Sequence, residues 1–223
     1  MIKQIKSKER VDKFSEVYTS KREVDAMLDL VDQETKRLDS RFLEPACGDG
    51  NFLTEVLERK IDVLVKKFSE NQYEFEKNAI LVIGSIYGVD ILRDNAKFAR
   101  KRLFNNFKEA YLNLFLETFN SNFLKSIKFI IKKNIINGDA LTLKKNNSDE
   151  PLTFCEWVIV KNKIKRRDYK LSDLLAYAPG EKIELQGNLR QKTLFSDLGE
   201  KVIIPYPVNE YPLVNFDKAF EAC

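Results

Sequence analysis

One segment constrains the fold of this chain more than any other, because an apolar stretch, a two-glycine turn and an amphipathic pattern follow one another directly. Residues 41–44 (RFLE) predict a short strand, residues 45–51 (PACGDGN) predict a turn, and residues 52–64 predict a helix with one apolar stripe. Gly48 and Gly50 allow a tight turn and let a ligand approach the backbone where no Cβ intervenes. This order is typical of nucleotide-binding α/β domains.

Further strands and helices alternate along the chain. Residues 79–89 (AILVIGSIYGV) predict a second strand that ends at Asp90, and Ile135 and Ile136 predict a third that ends at Asp139. Residues 154–160 (FCEWVIV) predict a fourth. The alternation predicts an α/β fold of the Rossmann-like type, with a mostly parallel sheet flanked by helices, an N-terminal helix and a short C-terminal appendage.

The predicted organisation has three parts. Residues 1–38 form a helical segment that caps the ligand site, and Thr19 or Ser20 is placed to cap its helix, with Glu23 completing a capping box. Residues 39–160 form the ligand-binding domain. Residues 161–223 form a basic segment and a proline-interrupted tail.

An acidic residue ends each of the first three predicted strands. Glu44 would repel a diphosphate and attract an ammonium group, and the third glycine of the dinucleotide pattern is replaced by Leu53. Asp90 is placed to accept hydrogen bonds from ribose hydroxyls or to cap the next helix. Asp139 is placed to accept from the exocyclic amino group of a purine or to hold a turn. Together these acids favour a cationic adenosyl ligand over a phosphorylated one.

Composition removes several classes of chemistry. The 223 residues include no histidine, which excludes histidine general bases, Ser-His triads and histidine-ligated metals. The cysteines Cys47, Cys155 and Cys223 are far apart and predict free thiols, with no metal site. No apolar run is long enough for a transmembrane helix, and residues 1–10 lack a signal-peptide pattern, which predicts a cytoplasmic protein that does not bind membranes.

The net charge of +4 is concentrated in residues 161–170 (KNKIKRRDYK). This cluster is either a solvated hairpin or a contact surface for nucleic-acid phosphates. In the second case the candidate DNA contacts are Lys163, Lys165, Arg166 and Arg167.

The motifs resemble those of S-adenosylmethionine-dependent adenine-specific DNA methyltransferases of restriction-modification systems. LEPACGDGNFL resembles the glycine-rich motif of that family, IYGVDIL the ribose motif, INGDAL the adenine motif, and SEVYTSKREVDAM the segment that lies against the methionine end of the cofactor. The resemblance covers roughly residues 14–160. It implies S-adenosylmethionine as cofactor, bound by Tyr18, Thr19, Glu44, Pro45, Ala46, Gly48, Gly50, Asn51, Phe52, Asp90, Ile91, Asp139 and Ala140.

The chain departs from that family at the catalytic tetrapeptide. The family carries Asn/Asp-Pro-Pro-Tyr/Phe after the fourth strand to hold the flipped adenine, and this sequence has no such tetrapeptide. Asn162 is the one candidate near that place. Three functions stay open: an adenine DNA methyltransferase or modification subunit with DNA and a restriction-modification partner subunit as its partners, a catalytically silent S-adenosylmethionine-binding subunit, and a small-molecule methyltransferase.

Overall fold

The computed structural model describes Arg10, residues 19–175, 192–195 and 201–223, with the backbone alone for residues 192–195 and 201–204. Its α-helices within residues 19–175 are α1 (Lys21–Asp29), α2 (Asp32–Thr35), α3 (Asn51–Phe68), α4 (Gln72–Gly84), α5 (Arg93–Phe115), α6 (Ser121–Asn134) and α7 (Leu171–Leu175). Its strands are β1 (Phe42–Glu44), β2 (Ile86–Asp90), β3 (Ile135–Asp139), β4 (Lys144–Lys145), β5 (Thr153–Val160), β6 (Lys163–Lys170), β7 (Lys192–Phe195), β8 (Lys201–Ile204), β9 (Asn209–Glu210) and β10 (Val214–Asn215). A 3-10 helix, Phe216–Glu221, follows β10.

The central sheet has the strand order β1-β2-β3-β4. Strands β1, β2 and β3 are parallel, with Phe42 opposite Ile86 and Gly88 opposite Ile135, and β4 is antiparallel to β3. The predicted α/β class with a mostly parallel, helix-flanked sheet is confirmed. Parallel strands end at the same edge of a sheet, so the residues that follow β1, β2 and β3 meet there.

The second predicted strand is shorter than its sequence indicated. Residues 79–84 belong to helix α4, and β2 begins only at Ile86. Ala79, Ile80, Val82 and Ile83 are all buried, so their apolar run has no exposed side that would mark a helical period. The sequence of a short buried run of this kind is compatible with a helix and with a strand, so the pattern alone does not distinguish them.

The fourth predicted strand exists but does not join the parallel sheet. Strand β5 pairs antiparallel with β6 along its whole length, and β9 and β10 pair with the other edge of β6. Lys161 and Asn162 form the two-residue turn, with φ angles of 49° and 62°, the left-handed values that such hairpins use. The hairpin therefore spans the predicted boundary between residues 160 and 161.

Helices α3 to α6 form the main helical layer of the molecule. Their core is an aromatic cluster in which the ring centroids of Phe107 and Phe123 lie 6.0 Å apart and those of Tyr111 and Phe123 lie 5.1 Å apart. Lys60 of α3 is fully buried and donates to the Ser40 carbonyl at 2.6 Å and to the Ser85 hydroxyl at 2.9 Å. Burial lowers the pKa of Lys60 to about 7. These bonds tie α3 to the segments that enter β1 and β2.

The start of α1 follows the predicted capping pattern. Ser20 is the N-cap, its side chain accepts from the Glu23 backbone amide, and the Glu23 carboxylate accepts in return from the Ser20 amide at 3.0 Å. The predicted capping box is confirmed, with Ser20 rather than Thr19 as the cap. Buried Val24 and Leu28 place α1 against α3, next to the carboxyl edge of the sheet.

Candidate functional site

A cleft of about 550 Å³ lies at the carboxyl edge of the parallel strands. This volume is within the range of small-molecule and cofactor sites. The cleft is lined by Thr19, Met27, Glu44, Pro45, Ala46, Cys47, Gly48, Asn51, Phe52, Asp90, Ile91, Leu92, Asn95, Gly138, Asp139, Ala140 and Leu141. We call it the carboxylate pocket, after the acids that end β1, β2 and β3.

Two of the three acids are oriented by amides of their own loops. The Glu44 carboxylate accepts from the Ala46 amide at 3.2 Å, and the Asp139 carboxylate accepts from the Leu141 amide at 2.8 Å. The Leu141 hydrogen bond holds the pKa of Asp139 below its ordinary value. Asp139 is therefore charged at neutral pH and has a defined direction at the pocket wall. Its two predicted roles, turn residue and ligand acceptor, are compatible.

The third acid, Asp90, connects two loops. It is buried, and its two carboxylate oxygens accept from the Gly48 amide and the Leu92 amide, each at 2.8 Å. The side-chain amide of Asn95 donates to Asp90 at 3.3 Å. Asp90 thus fixes the turn into α5 and ties it to the glycine-rich loop. Its position sets the relative placement of both walls of the pocket.

Backbone amides of the glycine-rich loop are used within the protein. Besides the Gly48 amide, the Cys47 amide donates to the Val89 carbonyl at 2.9 Å and the Gly50 amide donates to the Cys47 carbonyl at 2.9 Å. A phosphate-binding loop directs such amides at the ligand. These three amides are therefore not free to bind a phosphate.

The charged residues among the described lining of the pocket have one sign. They include three acids and neither lysine nor arginine, while Arg10 donates to Asn95 of the pocket wall at 3.1 Å. Burial, reinforced by Asp90 and Glu44, raises the pKa of the Cys47 thiol to about 12, so this side chain stays neutral. An environment of this kind attracts a cation and repels an anion.

Most of the predicted cofactor residues meet in this pocket. Of the thirteen named from the sequence, eleven line it, while Tyr18 lies outside the described residues. Gly50 is the exception. It has φ 92° at the start of α3, and an added Cβ would lie 3.1 Å from Cα and Cβ of Ala99. It forms the turn and allows close packing of α3 on α5, and it is not among the residues that line the pocket.

Sequence reasoning missed several residues that line the pocket. These are Met27, Cys47, Leu92, Asn95, Gly138 and Leu141. Four of them are next to predicted residues in the chain, so extending each motif by one position would have found them. Met27 and Asn95 lie inside helices α1 and α5, and only the packing of those helices brings them to the site.

The structure places Asn162 away from the carboxylate pocket. It is a hairpin-turn residue, and it lines a different cleft of about 750 Å³ together with residues of α4 and the 3-10 helix, among them Gln72, Glu76 and Asp217. The expectation that Asn162 stands beside the cofactor is corrected, because the hairpin turn carries it to the other cleft.

The basic cluster of residues 163–167 is partly internal. Arg166 is only 3% exposed, and its guanidinium donates to the Asp168 carboxylate at 2.8 and 2.7 Å and to the Ala222 carbonyl at 2.6 Å. Arg166 is therefore corrected from a DNA contact to a buried structural residue. Arg167 donates to Glu210 at 2.8 Å, Lys165 lies 3.4 Å from the same carboxylate, and Lys163 is exposed.

The described part of the chain contains no group of three or more His, Cys, Asp or Glu side chains arranged to hold a metal ion. None of its helices combines the length and apolar character needed to cross a membrane. Comparisons of the chain with models of known protein families, with curated protein sequences and with solved structures found no match.

Proposed function

We propose that this chain has the S-adenosylmethionine-dependent methyltransferase type of Rossmann-like fold and binds S-adenosylmethionine in the carboxylate pocket. On this proposal it is the cofactor-binding part of an adenine-directed DNA methyltransferase of a restriction-modification system. The observation that supports this most is the meeting of Glu44, Asp90 and Asp139 beside the Gly48 turn, in a pocket whose described lining holds no lysine or arginine.

The pocket residues suit this cofactor better than a phosphorylated nucleotide. S-adenosylmethionine carries a sulfonium and an ammonium group, and both gain from nearby carboxylates. Asp90 and Asp139 offer acceptors for ribose hydroxyls and an exocyclic amino group, while Ile91 and Leu141 are exposed apolar side chains at the same edge. When bound, the cofactor would supply an activated methyl group, so the task of this chain is to bind and orient it.

A second candidate function rests on the position of the β5–β6 hairpin. The family's target-holding tetrapeptide is expected after β5, and here that place is a turn facing the 750 Å³ cleft. This favours a subunit that binds the cofactor and depends on another chain to hold the adenine. If the chain contributes only cofactor binding, it is a catalytically silent subunit. That is the alternative to an enzyme that acts alone.

Calorimetry on the purified chain tests the binding proposal. We expect S-adenosylmethionine to bind and ATP to bind at least about tenfold more weakly, because each charged hydrogen bond or repulsion contributes roughly 1.5–3 kcal/mol. Glu44→Gln and Asp139→Asn should each weaken S-adenosylmethionine binding roughly tenfold. Asp62→Asn, an exposed acid three turns along α3 from the pocket, is the matched control and should change nothing. ATP binding as tight as that of S-adenosylmethionine would end the proposal, as would unchanged binding in the Glu44→Gln/Asp139→Asn double variant.

Labelled S-adenosylmethionine separates the two candidate functions. The protein is incubated with mixed-sequence DNA, alone and with proteins encoded beside it. A silent subunit leaves adenine unlabelled when it is alone. Label in adenine without any partner rejects the silent reading and supports a self-sufficient enzyme.

A further inference from the structure

Exposed lysines form two rows on the neighbouring helices α5 and α6. We call this surface the lysine ridge, and it consists of Lys97, Lys101 and Lys108 on α5 and Lys125, Lys128 and Lys132 on α6. Within each helix the spacings of 4, 7, 3 and 4 residues keep the side chains on one flank. Lys97 to Lys108 spans about 16 Å along α5, and Lys125 to Lys132 spans about 10 Å along α6.

The two rows face the same seam between α5 and α6. The Nζ atom of Lys128 lies 5.8 Å from the centroid of the Phe104 ring, which brings α6 directly against α5 at that level. On the opposite flank of α5, Arg102 and Asn106 reach Asn51 and Glu58 of α3. The lysines of α5 therefore point to the α6 side, and both rows stand over one groove.

The ridge has no countercharge of its own. Helix α6 contains neither Asp nor Glu, and within the described residues none of the six lysines forms an ion pair. The acids of α5 do not pair with them, because Asp94 pairs with Arg10 at 2.7 Å and Glu109 forms no ion pair with any of the six within the described residues. Some lysines elsewhere are neutralised locally, as in the Lys144–Asp149 pair at 2.8 Å. Such a concentration of unpaired like charge is destabilising unless a partner relieves it.

We propose that the lysine ridge is the surface on which this protein binds the phosphate backbone of duplex DNA. A protein partner would require an apolar centre, whereas the exposed neighbours Asn105 and Ser121 are polar and the exposed Phe98 lies beside Lys97, at one end of the ridge. Phosphates need only cations at intervals, and two rows across a groove match the two-sided backbone of a duplex. This inference extends the proposed function by giving DNA a docking surface, and it does not require that the carboxylate pocket binds S-adenosylmethionine.

Fluorescence anisotropy with a 20-base-pair duplex tests the ridge. Six phosphate contacts give a slope of log K against log salt of about −5. Lys128→Gln/Lys132→Gln should reduce the steepness of this slope by about 2 and weaken binding roughly tenfold or more at 0.1 M salt. The control Lys66→Gln/Lys67→Gln removes the same charge from exposed positions near the end of α3 and should have little effect. Circular dichroism and urea denaturation confirm that both variants are folded.

The outcomes distinguish the ridge from the pocket. Loss of DNA affinity in the ridge variant alone supports the proposal, whether or not the chain binds S-adenosylmethionine. An unchanged slope in the ridge variant, or an equal loss in the control, overturns it. Displacement of DNA by polyglutamate at equal charge concentration also overturns it, because the ridge would then bind acidic proteins as well as it binds DNA.

Discussion

The carboxylate pocket and the β5–β6 hairpin both contain several charged residues, but they arrange them in opposite ways. The pocket brings distant charges together, and the hairpin separates adjacent ones. Glu44, Asp90 and Asp139 are far apart in sequence and meet at one sheet edge, because they end parallel neighbouring strands. Arg166 and Arg167 are adjacent in sequence, and strand alternation sends them to opposite faces of β6. Distance along the chain therefore says little about which charges act together, whereas the topology of the strands decides it.

The two regions also differ in how their charges are satisfied. The Arg166 guanidinium is paired with Asp168 and lies among three aromatic rings, with the Tyr211 ring centroid 4.1 Å away. The pocket acids accept from backbone amides, and among the described residues no cationic side chain lines the cavity with them. A buried pair of opposite charges belongs to the architecture, while carboxylates that face a cavity without a cation point to a ligand.

The largest expected effect comes from breaking the hairpin's buried pair. Arg166→Ala should lower the free energy of unfolding by about 3–5 kcal/mol, because it leaves the buried Asp168 carboxylate without its cation. Arg167→Ala removes the same residue type from the exposed face of the strand and should cost about 1 kcal/mol or less. Urea denaturation followed by circular dichroism measures both. Equal losses in the two variants would contradict the assignment of Arg166 to the interior.

An intermediate effect is expected where the pocket depends on close backbone approach. At Gly138 an added Cβ would lie 2.8 Å from the Lys144 carbonyl oxygen and 2.5 Å from Cδ2 of Leu152. Gly138→Ala should therefore destabilise the protein by about 1–3 kcal/mol and shift the neighbouring Asp139. Urea denaturation and S-adenosylmethionine calorimetry measure the two consequences. A variant as stable as the parent would show that β4 adjusts freely and that the pocket wall is not fixed by this contact.

Much of the carboxylate pocket is predictable from sequence because local patterns determine it. A strand, a glycine turn and an acidic strand end each leave a short signature, and parallel pairing brings the signatures together. Residues such as Asn95 and Met27 have no such signature, because α5 and α1 bring them to the site only through tertiary packing.

The sequence predicted strand β5 of the hairpin but not the burial of Arg166. The alternation of residues along β6 contains the information needed to predict that burial. Read with a period of two, Ile164, Arg166 and Asp168 share one face, and all three are buried. An apolar residue in that register marks the inward face, and an acid two residues from the arginine supplies its partner. The sequence of β5 contains no comparable signal for antiparallel pairing. A short buried strand has the same apolar pattern whether it joins the parallel sheet or an antiparallel one.

The smallest expected effect is a change in thiol labelling, which can be followed at one buried cysteine in each region. Burial raises the pKa of both Cys47, in the pocket wall, and Cys155, in strand β5 of the hairpin, to about 12. At pH 8 only about 1 in 10,000 of either thiol is ionised, so iodoacetamide should label the exposed Cys223 and spare both.

Arg166→Ala then separates local opening from general loosening. The Arg166 charge lowers the Cys155 pKa, so its removal alone would make Cys155 still less reactive. Faster labelling of Cys155 in this variant must therefore come from opening of the hairpin, and peptide mass spectrometry can follow both sites in one sample. We expect Cys155 to gain label while Cys47 stays protected. Parallel gains at both cysteines would show that the two regions unfold as one unit. The pocket and the hairpin would then differ in how their charges are arranged but not in their stability.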